Sequence, residues 1–229
     1  MQIGLVLFPK LTQLDLTGPA EVFYRIPGAK VHLLWKTTDP VPSDRGMLIT
    51  PTTRFDECSA LDIICVPGGA GQIDLMDDAE TLDFLTRIAP SCKLVTSVCT
   101  GSLVLAAAGL LQGYRATCHW SSIDQLALLG AIPVAERVVK DRNRVTGAGV
   151  TSGIDFALRV VADLLGEDIA KEIQLQMEYD PEPPFQAGSP RSAPEALVEA
   201  TRAKIAPFID RRLSATQRAA IRLRGGGGA

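Results

Sequence analysis

Four short apolar runs, Gln2–Phe8, Lys30–Thr37, Asp62–Val66 and Lys93–Val98, alternate with stretches of helical spacing, and this alternation constrains the fold most. Consecutive Val, Ile and Leu positions, as in QIGLVLF and DIICV, suit strands covered on both faces. Between the runs, Pro19 fits the first turn of a helix reaching about Ile26. Asp77–Ile88 sets Leu82, Leu85 and Ile88 on one helical face, and Gly101–Leu110 is rich in Ala and Leu and closes near Gly113. Thr151–Leu165 reads as a further helix. The pattern predicts an α/β fold, a mostly parallel central sheet with helices on both faces. Two hairpins are expected beside it. One spans Asp39–Thr53 with Met47–Thr50 as an arm, and the other pairs Arg137–Lys140 with Arg144–Thr146.

The chain has 229 residues, enough for one substantial domain, placed at residues 1–179. Asp180–Pro194 holds five prolines and reads as an extended arm. Residues 195–224 are helical in pattern, with a break expected near Ser214, and are expected to pack on the same domain or on a dimer partner. Residues 225–229 are expected to be a disordered tail. From Arg191 to Arg224 eight basic residues face three acidic ones, which reads mainly as a solvated helical face and secondarily as a contact surface.

Several function classes are disfavoured. A formal charge of −3 gives no electrostatic footprint for nucleic acid or an anionic membrane. The longest apolar stretch, Leu103–Leu111, falls well short of the roughly 20 residues that span a bilayer. Met1 leads directly into a strand-like run with no export signal, so the expected compartment is cytoplasmic. Cys58, Cys65, Cys92, Cys99 and Cys118 contain no C-x-x-C pair, and His32 and His119 are far apart, so no metal site is expected. No phosphate-binding or dinucleotide loop is recognisable, so no organic cofactor is expected either.

In open α/β sheets ligands gather outside the carboxyl ends of the strands. Asp15 follows the first strand, Gly68-Gly69 the third and Cys99 the fourth, while Gly147–Gly149 precede a late helix. Ser97-Val98-Cys99-Thr100-Gly101 is the strongest signal. A strand turning directly into a helix lifts its central side chain above the sheet edge, and the helix N-terminus is expected to favour the thiolate. The Gly68-Gly69 turn and the N–H of Thr100 are expected to form an anion-stabilising pocket beside the sulfur. Asp15, in an apolar segment, is expected to share a proton with Cys99. His119-Trp120 is weighed as pocket lining rather than as a catalytic base.

With these residues in view, the chain resembles the DJ-1/PfpI superfamily, itself similar to class I glutamine amidotransferase domains. The resemblance covers roughly Gln2–Leu165 through D-x-x-G-P-x-E-V-F (Asp15–Phe23), the P-G-G turn (Pro67–Gly69) and the cysteine elbow. Within the superfamily it is similar to the isonitrile (isocyanide) hydratase group. Asp15 stands where many relatives carry Glu, and Cys99-Thr100 replaces the Cys-His of the protease-like branch. R-V-T-G-x-G-V-T-x-G-I-D-F (Arg144–Phe156) and the arm with its C-terminal helices complete the match, while Ala148 departs from an expected glycine.

The resemblance implies a flavodoxin-like three-layer sandwich, a homodimer, a small isocyanide substrate and no cofactor. It also implies Cys99 as nucleophile and Asp15 as general acid and base, with Thr100 and Gly69 positioning groups around the sulfur. A glyoxalase-like or amide-hydrolysing activity, or a redox or ligand sensor, are the alternatives. The region after Asp180 is too short for the paired DNA-binding unit of AraC-type regulators.

Overall fold

The computed structural model describes residues 1–225 and bears out the α/β reading. Strand β1 (Gln2–Val6) is followed by α1 (Gln13–Phe23), β2 (Lys30–Trp35), β3 (Val41–Pro42), β4 (Leu48–Ile49) and β5 (Thr53–Arg54). Next come β6 (Ile63–Val66), α2 (Gln72–Leu75), α3 (Ala79–Ile88), β7 (Leu94–Val98) and α4 (Gly101–Ala107). The later elements are β8 (Arg115–Ala116), α5 (Gln125–Leu128), β9 (Ile132–Pro133), β10 (Val138–Asp141) and β11 (Arg144–Gly147). Three helices finish the chain: α6 (Ser152–Leu165), α7 (Glu167–Gln176) and α8 (Glu195–Gly225).

The central sheet has seven strands in the order β10-β11-β7-β6-β1-β2-β5, and only the β10–β11 pair is antiparallel. After β1 the chain moves to β2 on one side, and after β6 to β7 on the other, so the strand order reverses between β1 and β6. That reversal opens a crevice at the carboxyl edge. Strands β6 and β7 are buried at every position, as their unbroken apolar runs require. Helices α1, α6 and α7 pack on one another, while α2, α4, α5 and α8 form a second group that also takes in α3. These are the outer layers of the sandwich. Both expected hairpins form, β3 with β4 and β10 with β11.

Four boundaries differ from expectation for identifiable reasons. Helix α1 starts at Gln13, so Asp15 lies in its first turn and Pro19 in its interior. Proline there gives up the bond to the Asp15 carbonyl, and its ring seats against Gly153 of α6, where a β-carbon would lie 2.9 Å from Pro19 Cδ. Helix α4 ends at Ala107, because Gly109 takes φ +76° and turns the chain out. The expected break near Ser214 is absent. Helix α8 continues through this position, with the Ser214 hydroxyl donating to the Asp210 carbonyl one turn back at 3.0 Å. Of the expected disordered tail, Gly225 closes α8 and residues 226–229 lie outside the described residues.

Candidate active site

Each residue singled out at the carboxyl edge is delivered by the loop that leaves its own strand. After β1 the chain enters α1 through Thr12, whose N–H donates to the Gly68 carbonyl at 2.9 Å, so the loops after β1 and β6 are tied together. Cys99 directly follows β7 and takes φ +58°, a left-handed conformation rarely adopted by a residue with a side chain. The strain is held by its own N–H, which donates to the carbonyls of Gly147, the last residue of β11, at 3.0 Å and of Ala148 just after it at 2.8 Å. Gly101 follows because a β-carbon there would collide with the Val66 carbonyl oxygen. Strand, strained cysteine and helix form the elbow that the sequence predicted.

Asp15 and Cys99 come together. Asp15 is fully buried, and Cys99 keeps 5% of its surface accessible. The carboxyl Oδ2 accepts the Gly68 N–H at 3.0 Å. Its buried Oδ1 accepts no backbone hydrogen bond, and the Cys99 thiol is the side chain within reach of the carboxyl. Burial, far more than any neighbouring charge, pushes the Asp15 carboxyl up to about 7. Burial also pushes the Cys99 thiol up, and the Asp15 charge adds to this, while the Thr100 N–H on the sulfur pulls the other way. The helix N-terminus was expected to favour the thiolate; the Thr100 N–H acts in that direction, but α4 has seven residues, and desolvation outweighs its end. Two buried anions side by side are disfavoured, so the pair retains at least one proton near neutral pH.

The glycines act differently from expectation. The Gly69 N–H is not free for an anion, because it donates to Thr100 Oγ1 at 3.1 Å. The Gly68 N–H is taken by Asp15. The turn therefore holds Thr100 and Asp15 in place and leaves the Thr100 N–H as the donor at the sulfur. A β-carbon on Gly68 would lie 2.6 Å from Thr100 N, 2.7 Å from Thr100 Oγ1 and 2.8 Å from Asp15 Oδ2, so no other residue fits without displacing the site.

His119 and Trp120 line a cavity of about 630 Å³, together with Thr117, Cys118, Ala148 and Val150. Residues Gly188–Arg191 of the proline-rich arm also wall it. Its size suits a small organic molecule. Gly68, Gly69, Asp15 and Cys99 lie behind this wall rather than on it; the link is Ala148, which lines the cavity and holds the Cys99 N–H through its carbonyl. Burial depresses His119 to about 4, so the ring is neutral at physiological pH. Its Nδ1 accepts the Ser121 N–H at 3.3 Å and lies 2.8 Å from the Ser121 hydroxyl, which assigns the proton to Nε2. Trp120 stacks under Arg202, 5.5 Å from ring to guanidinium carbon.

One residue escaped the sequence reading. Arg212 of α8 is buried, donating through Nε to Gln72 Oε1 at 2.8 Å and through Nη1 to Ser122 Oγ at 2.7 Å. Among eight basic residues in the segment it carries no local mark. The available signal was its spacing to Ala215, Thr216, Ala219 and Ala220, the buried face of the helix. Among the described residues no group of three or more His, Cys, Asp or Glu side chains could hold a metal, and no helix is long and apolar enough to cross a membrane.

The sequence profile of the DJ-1/PfpI family matches residues 1–163, well over half of the chain. The chain belongs to the DJ-1/PfpI family. It is 55% identical over 223 residues to the isonitrile hydratase of Pseudomonas putida, covering 97% of this chain and 98% of that protein. The crystal structure of a ThiJ/PfpI family protein from Pseudomonas syringae is 46% identical, with a TM-score of 0.91 over 96% of this chain and 90% of that one. Drosophila melanogaster DJ-1β shares the fold at 24% identity and a TM-score of 0.70, covering 77% of this chain but 97% of its own. Family membership and the DJ-1-like fold are thus as the motifs implied.

Proposed function

We propose that this protein hydrates isocyanides, R–N≡C, to N-substituted formamides, with Cys99 as nucleophile and Asp15 as proton carrier. One observation carries the reading. A buried acid and a buried thiol lie within reach of each other at the sheet edge, in a chain matching the Pseudomonas putida isonitrile hydratase over nearly its whole length. An isocyanide is rod-like with its reactive carbon at the tip, which suits a thiol that keeps only 5% of its surface accessible beside the cavity lined by His119 and Trp120.

In the forward direction the Cys99 thiolate attacks the terminal carbon, and that carbon takes the proton held by Asp15. The product is a thioimidate, Cys99–S–CH=N–R. Asp15, now a carboxylate, takes a proton from a water whose oxygen adds to the same carbon, and passes it to nitrogen. The tetrahedral centre then collapses to the formamide as its O–H proton returns to Asp15 and the C–S bond breaks, restoring the thiolate. One water is consumed and no net proton. The Thr100 N–H stabilises the sulfur whenever it carries charge. Asp15 near 7 suits both halves of this cycle, since an acid at its ordinary value would be deprotonated before the first step.

Cytoplasmic residence and a homodimeric state belong to the same reading. The test is a substrate panel. Incubating the purified protein with an alkyl isocyanide, with methylglyoxal and with a peptide amide, and following products by NMR, should yield formamide from the first alone. Turnover of methylglyoxal without formamide would overturn the proposal in favour of a glyoxalase-like activity.

A further inference from the structure

Trp120 has space on both sides. Besides the cavity of about 630 Å³, a smaller one of about 180 Å³ lies against the same residue, and the two have Trp120, Gly188, Ser189 and Pro190 as common walls. Apart from Trp120, every residue lining the smaller space belongs to the proline-rich arm or to the first two turns of α8. Leu197, Val198 and Thr201 face it at helical spacing, while the next residue, Arg202, faces the larger cavity. The indole and the arm segment 188–190 therefore form a partition.

The two spaces differ in chemistry. Five charged side chains, Asp124, Glu136, Arg137, Arg191 and Arg202, line the larger one. The smaller has none. Its side chains are those of Ala187, Pro190, Ala193, Leu197 and Val198, with the hydroxyls of Ser189 and Thr201. A charged group would be poorly solvated there, whereas an alkyl chain would gain by leaving water. Leu197 keeps 49% of its surface exposed, apolar area that such a chain can cover.

The partition is packed rather than bonded. The Trp120 ring lies between the Arg202 guanidinium, 5.5 Å away, and the His119 ring, 5.8 Å away and tilted by 33°. Among the described residues, the hydrogen bonds of segment 181–193 are those of its own Ser189–Ala193 turn. The size of the side chain at position 120 is thus what keeps the two spaces apart.

We infer that the smaller space is an apolar subsite for the far end of an elongated, unbranched substituent R, and that Trp120 is the specificity-determining residue that closes it off from the larger cavity. With the indole in place compact R groups are favoured, because a longer chain meets charged side chains instead of the apolar wall beyond. A small side chain at position 120 joins the two spaces. The subsite is built by the arm and α8, past residue 163 where the family profile ends, so only its gate comes from the shared core.

The inference rests on the isocyanide reading for the identity of R, and its test is read first on binding, without turnover. Calorimetric titration of wild type and Trp120→Ala with N-ethylformamide and N-octylformamide gives affinity against chain length. Each methylene moved from water to an apolar wall strengthens binding about fourfold. Trp120→Ala should bind the ethyl compound about two- to fivefold more weakly, having lost the indole, and the octyl compound about tenfold or more tightly. Adding Val198→Phe, which fills the smaller space from the α8 side, should return the octyl affinity to within about threefold of wild type. The kcat/KM values for ethyl and octyl isocyanide should invert in the same sense.

A folded Trp120→Ala protein that binds N-octylformamide no tighter than wild type would overturn the inference, as would an octyl gain that survives Val198→Phe. Should Trp120→Ala fail to fold, Trp120→Leu decides, with an octyl gain of about threefold expected and none contradicting it. Absence of formamide binding to either protein would also count against the subsite. The inverted length dependence without formamide production from any isocyanide would count against the proposed reaction and leave the subsite standing.

Discussion

The elbow at Cys99 and the far half of helix α8 each bury a polar group, and they do so in opposite ways. The elbow is local: β7, a strained residue and the first turn of α4 are consecutive, and Cys99 takes φ +58° because its neighbours Gly101 and the Gly147-Ala148 carbonyls leave no other path. Helix α8 is remote. Arg212 meets Gln72 across 140 positions of sequence, through a helix that outwardly resembles any basic, solvated surface element. The elbow supplies a nucleophile whose burial opposes ionisation, and α8 supplies a buried cation held by the neutral partners Gln72 and Ser122. Chemistry built from consecutive residues can be read locally, whereas electrostatic compensation depends on tertiary packing.

This contrast can be broken most sharply at the elbow. Cys99→Ala should lower isocyanide turnover by about 10⁴-fold or more, to the rate in buffer, as expected when a covalent nucleophile is removed. Formamide production by NMR checks it. Turnover within tenfold of wild type would remove the elbow from the mechanism altogether.

Asp15→Asn should come next, losing about 10²- to 10⁴-fold in kcat. In wild type, kcat/KM should rise as pH rises through about 7, because the reactive thiolate–acid pair holds one proton and the fully protonated pair must first lose the other. The same group has a signature in stability. Its carboxyl is raised from 3.8 to about 7 by burial, so it favours the folded state fully below 3.8, and that contribution is lost as pH rises through about 7. Urea unfolding should show wild type losing on the order of 4 kcal/mol relative to Asp15→Asn across that window. Parallel stability curves for the two proteins would contradict a raised carboxyl.

The glycine turn gives a smaller, geometric test. Gly68→Ala sets a methyl 2.6–2.8 Å from Thr100 and the Asp15 carboxylate. It should destabilise the fold by about 1–3 kcal/mol and cut kcat by about 10- to 100-fold, measured by unfolding and turnover. His119→Asn should matter least. The ring is neutral and lines the cavity, so KM should move more than kcat, and a kcat loss above about 10²-fold would assign His119 a proton-transfer role.

The sheet, the two hairpins, the elbow and the Asp15–Cys99 pairing were legible because each rests on residues adjacent in sequence or on the rule that strand ends converge at one edge. The start of α1 was missed because an interior proline reads as a first-turn residue until its packing on Gly153 is known. Short elements such as α2, α5 and the β8–β9 pair were missed because two to four residues carry no period. The occupied Gly68 and Gly69 N–H groups, and the depression of His119, depend on partners that only the folded chain brings close.

The central claim is that the sulfur at position 99 bonds covalently to the substrate carbon while Asp15 moves the proton. Mixing the protein with an alkyl isocyanide, quenching in acid within seconds and mapping the digest by mass spectrometry tests this directly. The account predicts a mass gain of one isocyanide on the Cys99 peptide, decaying as formamide accumulates and prolonged in Asp15→Asn. Steady formamide production with Cys99 unmodified at every time point, and undiminished in Cys99→Ala, would contradict it.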